Sequence, residues 1–289
     1  MIHPSTFSIV AHSDSDQAWG IAVASKFPAA GAVVPWARAG AGAVATQSHA
    51  NTAYGPEGLA LMADGLSAQQ TLDKLIEADA DRALRQVGLV DAGGGSATFT
   101  GEKCLAWAGG RIGQGYAVQG NILTGPEVVP AMAEAYESAG GTLADRLLAA
   151  LLAGDRAGGD RRGRQSAGLL VVKEAAGYGG HNDRWLDYRV DDHPDPVPRL
   201  TELLELHDLY FGQSPPEDRV ALQGVELQAL KRILADQGYY QGAVDASLDE
   251  PTRRALFAFL GNENFEERSD VEAGWIDRPV LEFIQRKFG

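Results

Sequence analysis

The chain has 289 residues, enough for one large domain and one small one, and its 45% hydrophobic and 22% charged residues are typical of globular proteins. Its net charge of −14 disfavours nucleic acid and anionic membranes as partners, because both attract clustered lysine and arginine. The single cysteine, Cys104, excludes an internal disulfide and a cysteine-based zinc site. The start of the chain lacks a cationic and apolar leader, and no apolar run reaches membrane-spanning length, so we expect a cytoplasmic protein.

The order of the predicted elements indicates an α+β fold. Runs of Val, Ile, Ala and Trp predict four successive strands at the start of the chain, and Ser67 is the expected N-cap of a helix in the block that follows. Runs of one element type, without strict alternation, favour mainly antiparallel sheets. The predicted strands are 6–12, 18–26, 31–37, 41–48, 86–91, 96–99, 116–119, 166–172 and 185–190, with helices after Gly125, over 142–152 and over 196–211.

The clearest boundary is the segment 212–217, which combines a helix stop with a double proline. We therefore predict a first domain over residues 1–212, a linker at 213–219 and a second domain at 220–289. The second domain is expected to be a small all-α bundle, because its apolar residues recur at helical spacing. Its two predicted helices are 222–237 and 250–260.

Seven short motifs of the first domain occur in an order that resembles a known family. They are TFSIVA (6–11), AVASKF (22–27), ATQ (45–47), YGP (54–56), QGN (119–121), GGDRRGRQS (158–166) and VDDHP (190–194). The family is a bacterial one of unknown function, DUF1028, and it is similar to the N-terminal-nucleophile (Ntn) hydrolases. The resemblance implies a four-layer αββα sandwich.

The second domain resembles a small helical peptidoglycan-binding module. The matching residues are LQG (222–224), Leu230, GYYQG (238–242) and TRRAL (252–256). Because a cytoplasmic protein does not reach the cell wall, peptidoglycan is not expected as a partner without export. We expect a docking role and a homo-oligomer instead.

Thr6 and Lys26 are the candidate catalytic residues. In Ntn hydrolases a hydroxyl at the start of a buried strand is the nucleophile, and the free α-amino group of the same residue is the base that takes its proton. Pairing of the first two strands as a hairpin would bring Lys26 beside Thr6, where its charge would lower the pKa of the nucleophile. The alternative is that Thr6 is an ordinary strand residue and Lys26 a solvated one.

Five residues, Met1 to Ser5, precede Thr6, whereas the resembling family begins with Met directly before the threonine. Three interpretations remain open. The pentapeptide is removed by self-cleavage, or the true start lies further along, or the protein is not an N-terminal nucleophile enzyme in this form.

Polar residues at two strand ends are candidates for substrate binding. Hydroxyl and amide donors gathered at the end of a strand can bind a polar substrate or stabilise an oxyanion. The same residue types also favour turns, so turn formation is the alternative. The candidates are Thr46, Gln47, Ser48, Asn51 and Asn121.

The loop after Gly159 is the other candidate binding element. Three arginines lie within four residues of an otherwise acidic chain, and their planar guanidinium groups suit a substrate carboxylate. A salt-bridged surface loop or subunit contact is the alternative. The candidates are Asp160, Arg161, Arg162 and Gln165. The His and Asp residues at 181–195 lack metal-ligand spacing, so neither a metal nor another cofactor is expected.

Two functions follow from these observations. The first is an Ntn-type amidohydrolase that acts on a small polar amide or peptide-like substrate. The second is a non-catalytic ligand-binding or scaffold protein, which uses an Ntn-like fold and a C-terminal interaction module.

Overall fold

The computed structural model describes residues 6–289. It contains strands β1 (Thr6–Ser13), β2 (Ala18–Ser25), β3 (Pro35–Arg38), β4 (Gly42–Ser48), β5 (Arg85–Asp91), β6 (Ser96–Thr100), β7 (Gly109–Gly113), β8 (Tyr116–Asn121), β9 (Ser166–Lys173), β10 (Arg184–Val190), β11 (Arg219–Ala221), β12 (Ser269–Asp270) and β13 (Trp275–Asp277). The helices are α1 (Tyr54–Ala63), α2 (Ala68–Ala78), α3 (Val128–Ser138), α4 (Leu143–Arg156), α5 (Pro196–Phe211), α6 (Gly224–Asp236), α7 (Glu250–Asn262) and α8 (Arg278–Phe288). The mixed α+β composition is confirmed.

The chain divides into two compact units, one ending at Glu202 and the other covering Leu203–Gly289. This division falls within α5, ahead of the predicted linker at 213–219. The predicted domain limits remain a prediction.

A six-stranded antiparallel sheet, in the order β10-β9-β2-β1-β8-β7, forms the centre of the first unit. Every residue of β1 and β2 is buried. Successive side chains of a strand point to opposite faces. Phe7 accordingly lies near Met132 and Gly154 of the helices, while Val10 packs with residues of the second sheet. The odd positions of β1 therefore face helices, and the even positions face the other sheet.

The second sheet has four antiparallel strands in the order β3-β4-β5-β6. Ala43 and Ala45 of β4 belong to the apolar cluster shared with the six-stranded sheet, whereas Val44 packs with α1 and α2. The two sheets therefore meet face to face, and one helix pair covers the outer face of each, α1 and α2 on the smaller sheet and α3 and α4 on the larger.

The predicted helix start at Ser67 is confirmed. The Ser67 hydroxyl accepts a hydrogen bond from Gln70 N at 3.2 Å, and the Gln70 side chain accepts one from Ser67 N at 3.0 Å. Thr142 and Asp145 form the same reciprocal arrangement at the start of α4. In both places a polar side chain satisfies backbone N–H groups that have no partner within the helix.

One strand of the larger sheet was not expected from the sequence. β7 has the sequence Gly-Gly-Arg-Ile-Gly, and glycine lowers strand propensity. It pairs with β8 from Gly109↔Gly120 to Gly113↔Tyr116. Tertiary pairing with a buried neighbour determines this strand, not its own composition.

The all-α prediction for the second unit is wrong in one respect. Helices α6, α7 and α8 surround an apolar cluster, but β11, β13 and β12 also form a small antiparallel sheet. These strands have only two or three residues each, too few for an alternating pattern to appear in the sequence. Among residues 6–289, no helix is both long and apolar enough to cross a bilayer.

Candidate functional site

Four polar side chains form one row across the six-stranded sheet. Antiparallel pairing places Thr6 opposite Ser25 on one side and opposite Asn121 on the other, and Ser25 is opposite Ser166. Paired residues of neighbouring strands point to the same face. The row Ser166–Ser25–Thr6–Asn121 therefore lies at one end of four adjacent strands, on the face toward the second sheet.

Thr6 is fully enclosed within this row. Its side chain has no exposed surface, and its hydroxyl donates to Ser25 Oγ at 3.3 Å. The Thr6 carbonyl oxygen accepts a hydrogen bond from Gln47 Nε2 at 3.2 Å. Contacts on both the hydroxyl and the carbonyl hold the residue in one orientation. Residues 1–5, on which the question of N-terminal processing depends, lie outside the described residues.

A layer of buried amide side chains lies between the two sheets beside this row. Gln119 Nε2 donates to Ser8 Oγ at 2.6 Å, and that hydroxyl donates to Gln47 Oε1 at 2.6 Å. Gln47 Nε2 then donates to Gln86 Oε1 at 2.8 Å. The three glutamines have no exposed surface, and they come from three different strands. We call Ser8, Gln47, Gln86 and Gln119 the amide layer.

Gln86 connects the amide layer to Asn121 of the Thr6 row. Its Oε1 also accepts from Asn121 Nδ2 at 2.9 Å, and its Nε2 donates to Gly120 O at 2.7 Å and to Thr100 Oγ1 at 2.9 Å. These contacts fix which end of each amide is donor and which is acceptor. Within the described residues, Thr71 Oγ1 is the one buried side-chain polar atom without a hydrogen-bond partner. Every buried side-chain polar atom of the amide layer therefore has a partner.

Two strand ends that carry site residues finish in a strained backbone conformation. Ser48, directly after Gln47, has φ 66°, and Ile122, directly after Asn121, has φ 50°. Positive φ is costly for a non-glycine residue and most of all for a β-branched one such as isoleucine. Such strain is concentrated at functional sites, where surrounding contacts maintain it.

Lys26 follows Ser25 and lies at the exposed side of the row. Its Nζ donates to Arg164 O at 3.2 Å, and its backbone N–H donates to Asp160 Oδ2 at 2.7 Å. Strand pairing does bring this part of the chain next to Thr6, as the hairpin predicts, but the residue opposite Thr6 is Ser25. The catalytic role of Lys26 stays a prediction.

Asp160 is the anchor of the arginine-rich loop. The carboxylate is nearly buried and also accepts from Arg162 N at 2.9 Å and from Arg162 Nη2 at 3.0 Å. Arg164 donates to Asp155 at 2.7 Å and to Asp195 at 3.2 Å. Ion pairs inside the protein therefore occupy two of the three guanidinium groups. Arg161 is exposed, and its backbone N–H donates to Ile122 O at 3.0 Å.

Gln165 connects this loop to two neighbouring segments. Its backbone N–H donates to Ser25 O at 3.1 Å, and its side chain donates to Asp192 Oδ1 at 3.1 Å. These bonds hold the loop against the end of β2, next to the Thr6 row.

Thr46 and Asn51 serve to shape the turn after β4. Thr46 Oγ1 donates to Asn51 O at 3.1 Å, while Asn51 Nδ2 donates to Asp79 Oδ2 at 3.2 Å. Asp79 also accepts from Arg85 Nε at 2.8 Å and from Tyr54 OH at 3.0 Å. The hydrogen bond from Arg85 holds the pKa of Asp79 well below its usual range. Of the predicted binding residues, these two are thus engaged in local structure.

The thiol of Cys104 lies near Ser48. Burial raises its pKa, which the hydrogen bond with Ser48 only partly opposes. Because the thiolate is the reactive form, this thiol is a poor nucleophile at neutral pH.

A cavity of about 450 Å³ opens at the same end of the sheet. Ser25 from the row and Asp160 and Arg164 from the loop line it, together with Phe7 and Ala24 on the helix-facing side of the strands. Thr6 is not among the lining residues, in keeping with its enclosed side chain.

Several of the His and Asp residues at 181–195 form hydrogen bonds with residues close to them in sequence. Asp187 binds Arg189 at 2.9 Å, and His193 Nδ1 accepts from Asp195 N at 3.0 Å. Among residues 6–289, no three His, Cys, Asp or Glu side chains are grouped as a metal site would require.

Sequence reasoning missed five residues of the row and the amide layer: Ser8, Ser25, Gln86, Gln119 and Ser166. Each lies at or near the end of a predicted strand, where a polar residue is ordinarily solvated. The available signal was the recurrence of glutamine at such positions in three strands, which indicates a shared polar layer when the strands are otherwise apolar.

Comparisons with known proteins agree with both resemblances seen in the sequence. A family model described as "Family of unknown function (DUF1028)" matches residues 6–200, and one described as "Putative peptidoglycan binding domain" matches residues 210–284. Among curated proteins, none matches the chain significantly. The crystal structure of a DUF1028 protein from Silicibacter pomeroyi is similar, with a TM-score of 0.64 and 31% identity over 71% of this chain and 89% of that one. This protein belongs to the DUF1028 family.

Proposed function

We propose that this protein is an Ntn-type hydrolase that cleaves a small polar amide, with Thr6 as the nucleophile once it becomes the first residue. The observation that carries the proposal is the position of Thr6, which lies at the start of the central strand with Ser25 and Asn121 beside it. The two facing sheets with helices outside support assignment to the four-layer αββα type, which has its nucleophile at such a strand start.

The chemistry requires a free amine at Thr6. That amine, with an ordinary pKa of about 7.7–8.0, accepts the hydroxyl proton as Thr6 Oγ1 attacks the substrate carbonyl carbon. The proton then passes to the leaving nitrogen as the C–N bond breaks, and a Thr6 ester remains. Water hydrolyses this ester and restores the hydroxyl.

The amide layer supports the proposal through orientation. Asn121 Nδ2 donates to Gln86 Oε1 at 2.9 Å, which fixes the direction of an amide directly beside Thr6. An oriented N–H donor next to a nucleophile can stabilise the oxyanion of a tetrahedral intermediate. We assign Asn121 that role and Gln86 the role of positioning it.

The experiment compares the full chain with a chain that begins at Thr6, released from a fusion partner by a protease. Both are assayed against a panel of amino-acid amides, N-acyl amino acids and dipeptides. We expect turnover from the Thr6 start, a loss of at least about 1,000-fold in Thr6→Ala, and partial retention in Thr6→Ser. Mass spectrometry of the quenched reaction should find a Thr6 ester.

Thr52→Ala is the matched control, because Thr52 is exposed in the turn before α1. It should leave turnover unchanged. Turnover that survives Thr6→Ala would exclude the nucleophile. Thermal stabilisation by a panel member in both the parent and Thr6→Ala, with no hydrolysis in either, would favour the ligand-binding alternative.

Lys26→Met tests the second catalytic residue. If the ammonium lowers the pKa of the nucleophile or its base, its removal should shift the acidic limb of the pH profile of kcat/KM upward. If kcat/KM falls but its pH profile does not shift, Lys26 acts by holding the arginine-rich loop through its hydrogen bond to Arg164 O.

A further inference from the structure

A separate groove in the second unit has a volume of about 720 Å³ and is lined by α7 and the residues around β12 and β13. Its size is that of sites that accept a drug-sized ligand or a few side chains of a peptide. None of its residues takes part in the proposed hydrolysis.

The floor of the groove is apolar. Leu260 and Val271 belong to the edge of the apolar cluster, and Trp275 is half-buried beside them. Phe257 stands on the same wall with 73% of its surface exposed. It lies three and four positions after Arg254 and Arg253 on α7, and so shares their face of the helix. An aromatic side chain this exposed, beside an apolar floor, indicates a binding surface.

The rim of the groove is acidic. Its lining includes five carboxylates against two guanidinium groups. Arg253 is engaged by Val271 O and Glu272 O, and Arg254 lies 3.8 Å from Glu250. Within the described chain, Glu266 and Glu267 form no ion pair, so their charges are available to a partner.

Trp275 already holds one cation. The Arg219 guanidinium lies over its ring, 4.0 Å from the centroid. The indole face is the strongest aromatic platform for such a contact. Because Arg219 occupies this ring face, a second basic group that approaches the groove is attracted by the carboxylates of the rim, and Trp275 contributes apolar surface.

We propose that this groove binds a cationic peptide segment of another protein, with one apolar side chain seated on Leu260, Val271 and Phe257. Charge complementarity determines the choice of occupant. An acidic or uncharged segment would gain only the apolar contact, and an anionic membrane would be repelled. Basic residues on either side of the apolar anchor would face Glu266 and Glu267.

The test uses the full chain and a short synthetic peptide that alternates lysine and leucine, measured by calorimetry at low and at high salt. Two further peptides replace every lysine with glutamate or every leucine with serine. We expect binding of the first peptide alone, weakened by salt because the rim contacts are exposed. Phe257→Ser should weaken it about tenfold, equivalent to about 1.4 kcal/mol. The double variant Glu266→Gln, Glu267→Gln should weaken it and reduce its salt dependence.

Val225→Ser is the matched control, because Val225 is 71% exposed on α6 and does not line the groove. It should bind like the parent. Equal binding of the glutamate peptide, or full affinity in Phe257→Ser, would overturn the proposal. So would self-association of the chain that Phe257→Ser abolishes, since the occupant would then be a second copy.

Discussion

The two units bury polar side chains in different ways. In the first unit the amide layer is neutral, and its three glutamine amides and serine hydroxyl satisfy one another between two sheets. In the second unit the buried polar groups include charges at the border of an apolar cluster. Arg268 Nε donates to Asp277 Oδ2 at 2.7 Å, and its other nitrogens donate to Asp208 O and Ser214 Oγ.

The difference corresponds to two structural tasks. A neutral amide has both a donor and an acceptor, so amides can form a chain that orients one member next to Thr6. A buried guanidinium has donors only, and it needs a carboxylate and carbonyls around it. Arg268 therefore ties separate segments together, whereas Gln86 orients neighbours within a layer. Variants at these positions should affect one unit and not the other.

The largest effect is expected from Arg268→Ala. This variant leaves the Asp277 carboxylate buried without its partner, which costs about 3–5 kcal/mol. Hydrogen exchange resolved by peptide should show loss of protection across residues 203–289 and little change before them. Arg254→Ala, which removes an exposed pair at 3.8 Å, is the control and should change stability by less than about 0.5 kcal/mol. Equal loss of protection in both units would contradict the comparison.

A somewhat smaller effect, in the first unit, is expected from Gln86→Leu. It removes the acceptor of two buried N–H groups and the donor to Gly120 O, and unsatisfied buried groups cost about 1–3 kcal/mol each. We expect a destabilisation of about 3 kcal/mol, seen as faster exchange in β5 and β8. Gln69→Leu on the exposed face of α2 is the matched control. If Gln86→Leu were as stable as the parent, the amide layer would not be a structural requirement.

Acidification should lower the free energy of unfolding of the first unit, because it protonates Asp79. Because Arg85 depresses the pKa of Asp79 in the folded state, its contribution is complete above the ordinary aspartate pKa of about 3.9 and decreases as pH falls below that value. We expect a loss of about 1–2 kcal/mol on going from about pH 5 to strongly acidic solution, in thermal unfolding. Asp79→Asn should start less stable and show a flatter pH dependence. A parent and variant with parallel pH curves would exclude this cause.

The smallest effect is expected from Ser67→Ala. It removes the hydroxyl that accepts from Gln70 N and should cost about 1 kcal/mol. Exchange should accelerate in the first turn of α2 alone. Ser138→Ala is the control. Ser138 is the last residue of α3, and its hydroxyl donates to Glu134 O and does not cap a helix N-terminus. Faster exchange beyond the first turn of α2 would contradict a purely local role of the Ser67 cap.

Strands that are continuous apolar runs could be predicted from the sequence. Strands that form because of their pairing partners, and not because of their own composition, could not. β1, β2 and β4 are fully buried, and their Val, Ile and Ala residues mark them. β7 is rich in glycine and becomes a strand because β8 is beside it. The short strands of the second unit were missed because two or three residues are too few to show a period.

The candidate site was predicted in part for a related reason. Thr6 and Asn121 were expected from motifs, and the pairing register puts them side by side. Asn51 was expected at the site but holds the turn after β4 through Asp79. Gln86 was not expected, because its importance arises from residues that are distant in sequence. A motif identifies residue types, but a hydrogen-bond chain exists only after the sheets face each other.

The row across the sheet also determines which changes of chain length near Thr6 the fold can accept. Cross-strand pairing with Ser25 and Asn121 sets the location of the Thr6 hydroxyl, so residues added ahead of Thr6 leave that location unchanged. A single residue inserted within β1 would instead turn Phe7 toward the polar layer and the hydroxyl toward the helices. The architecture therefore tolerates a variable number of residues before Thr6, whereas it does not tolerate a change in the spacing between Thr6 and Ser13. Under the mechanism we propose, release of the Thr6 amine is therefore a step separate from formation of the site.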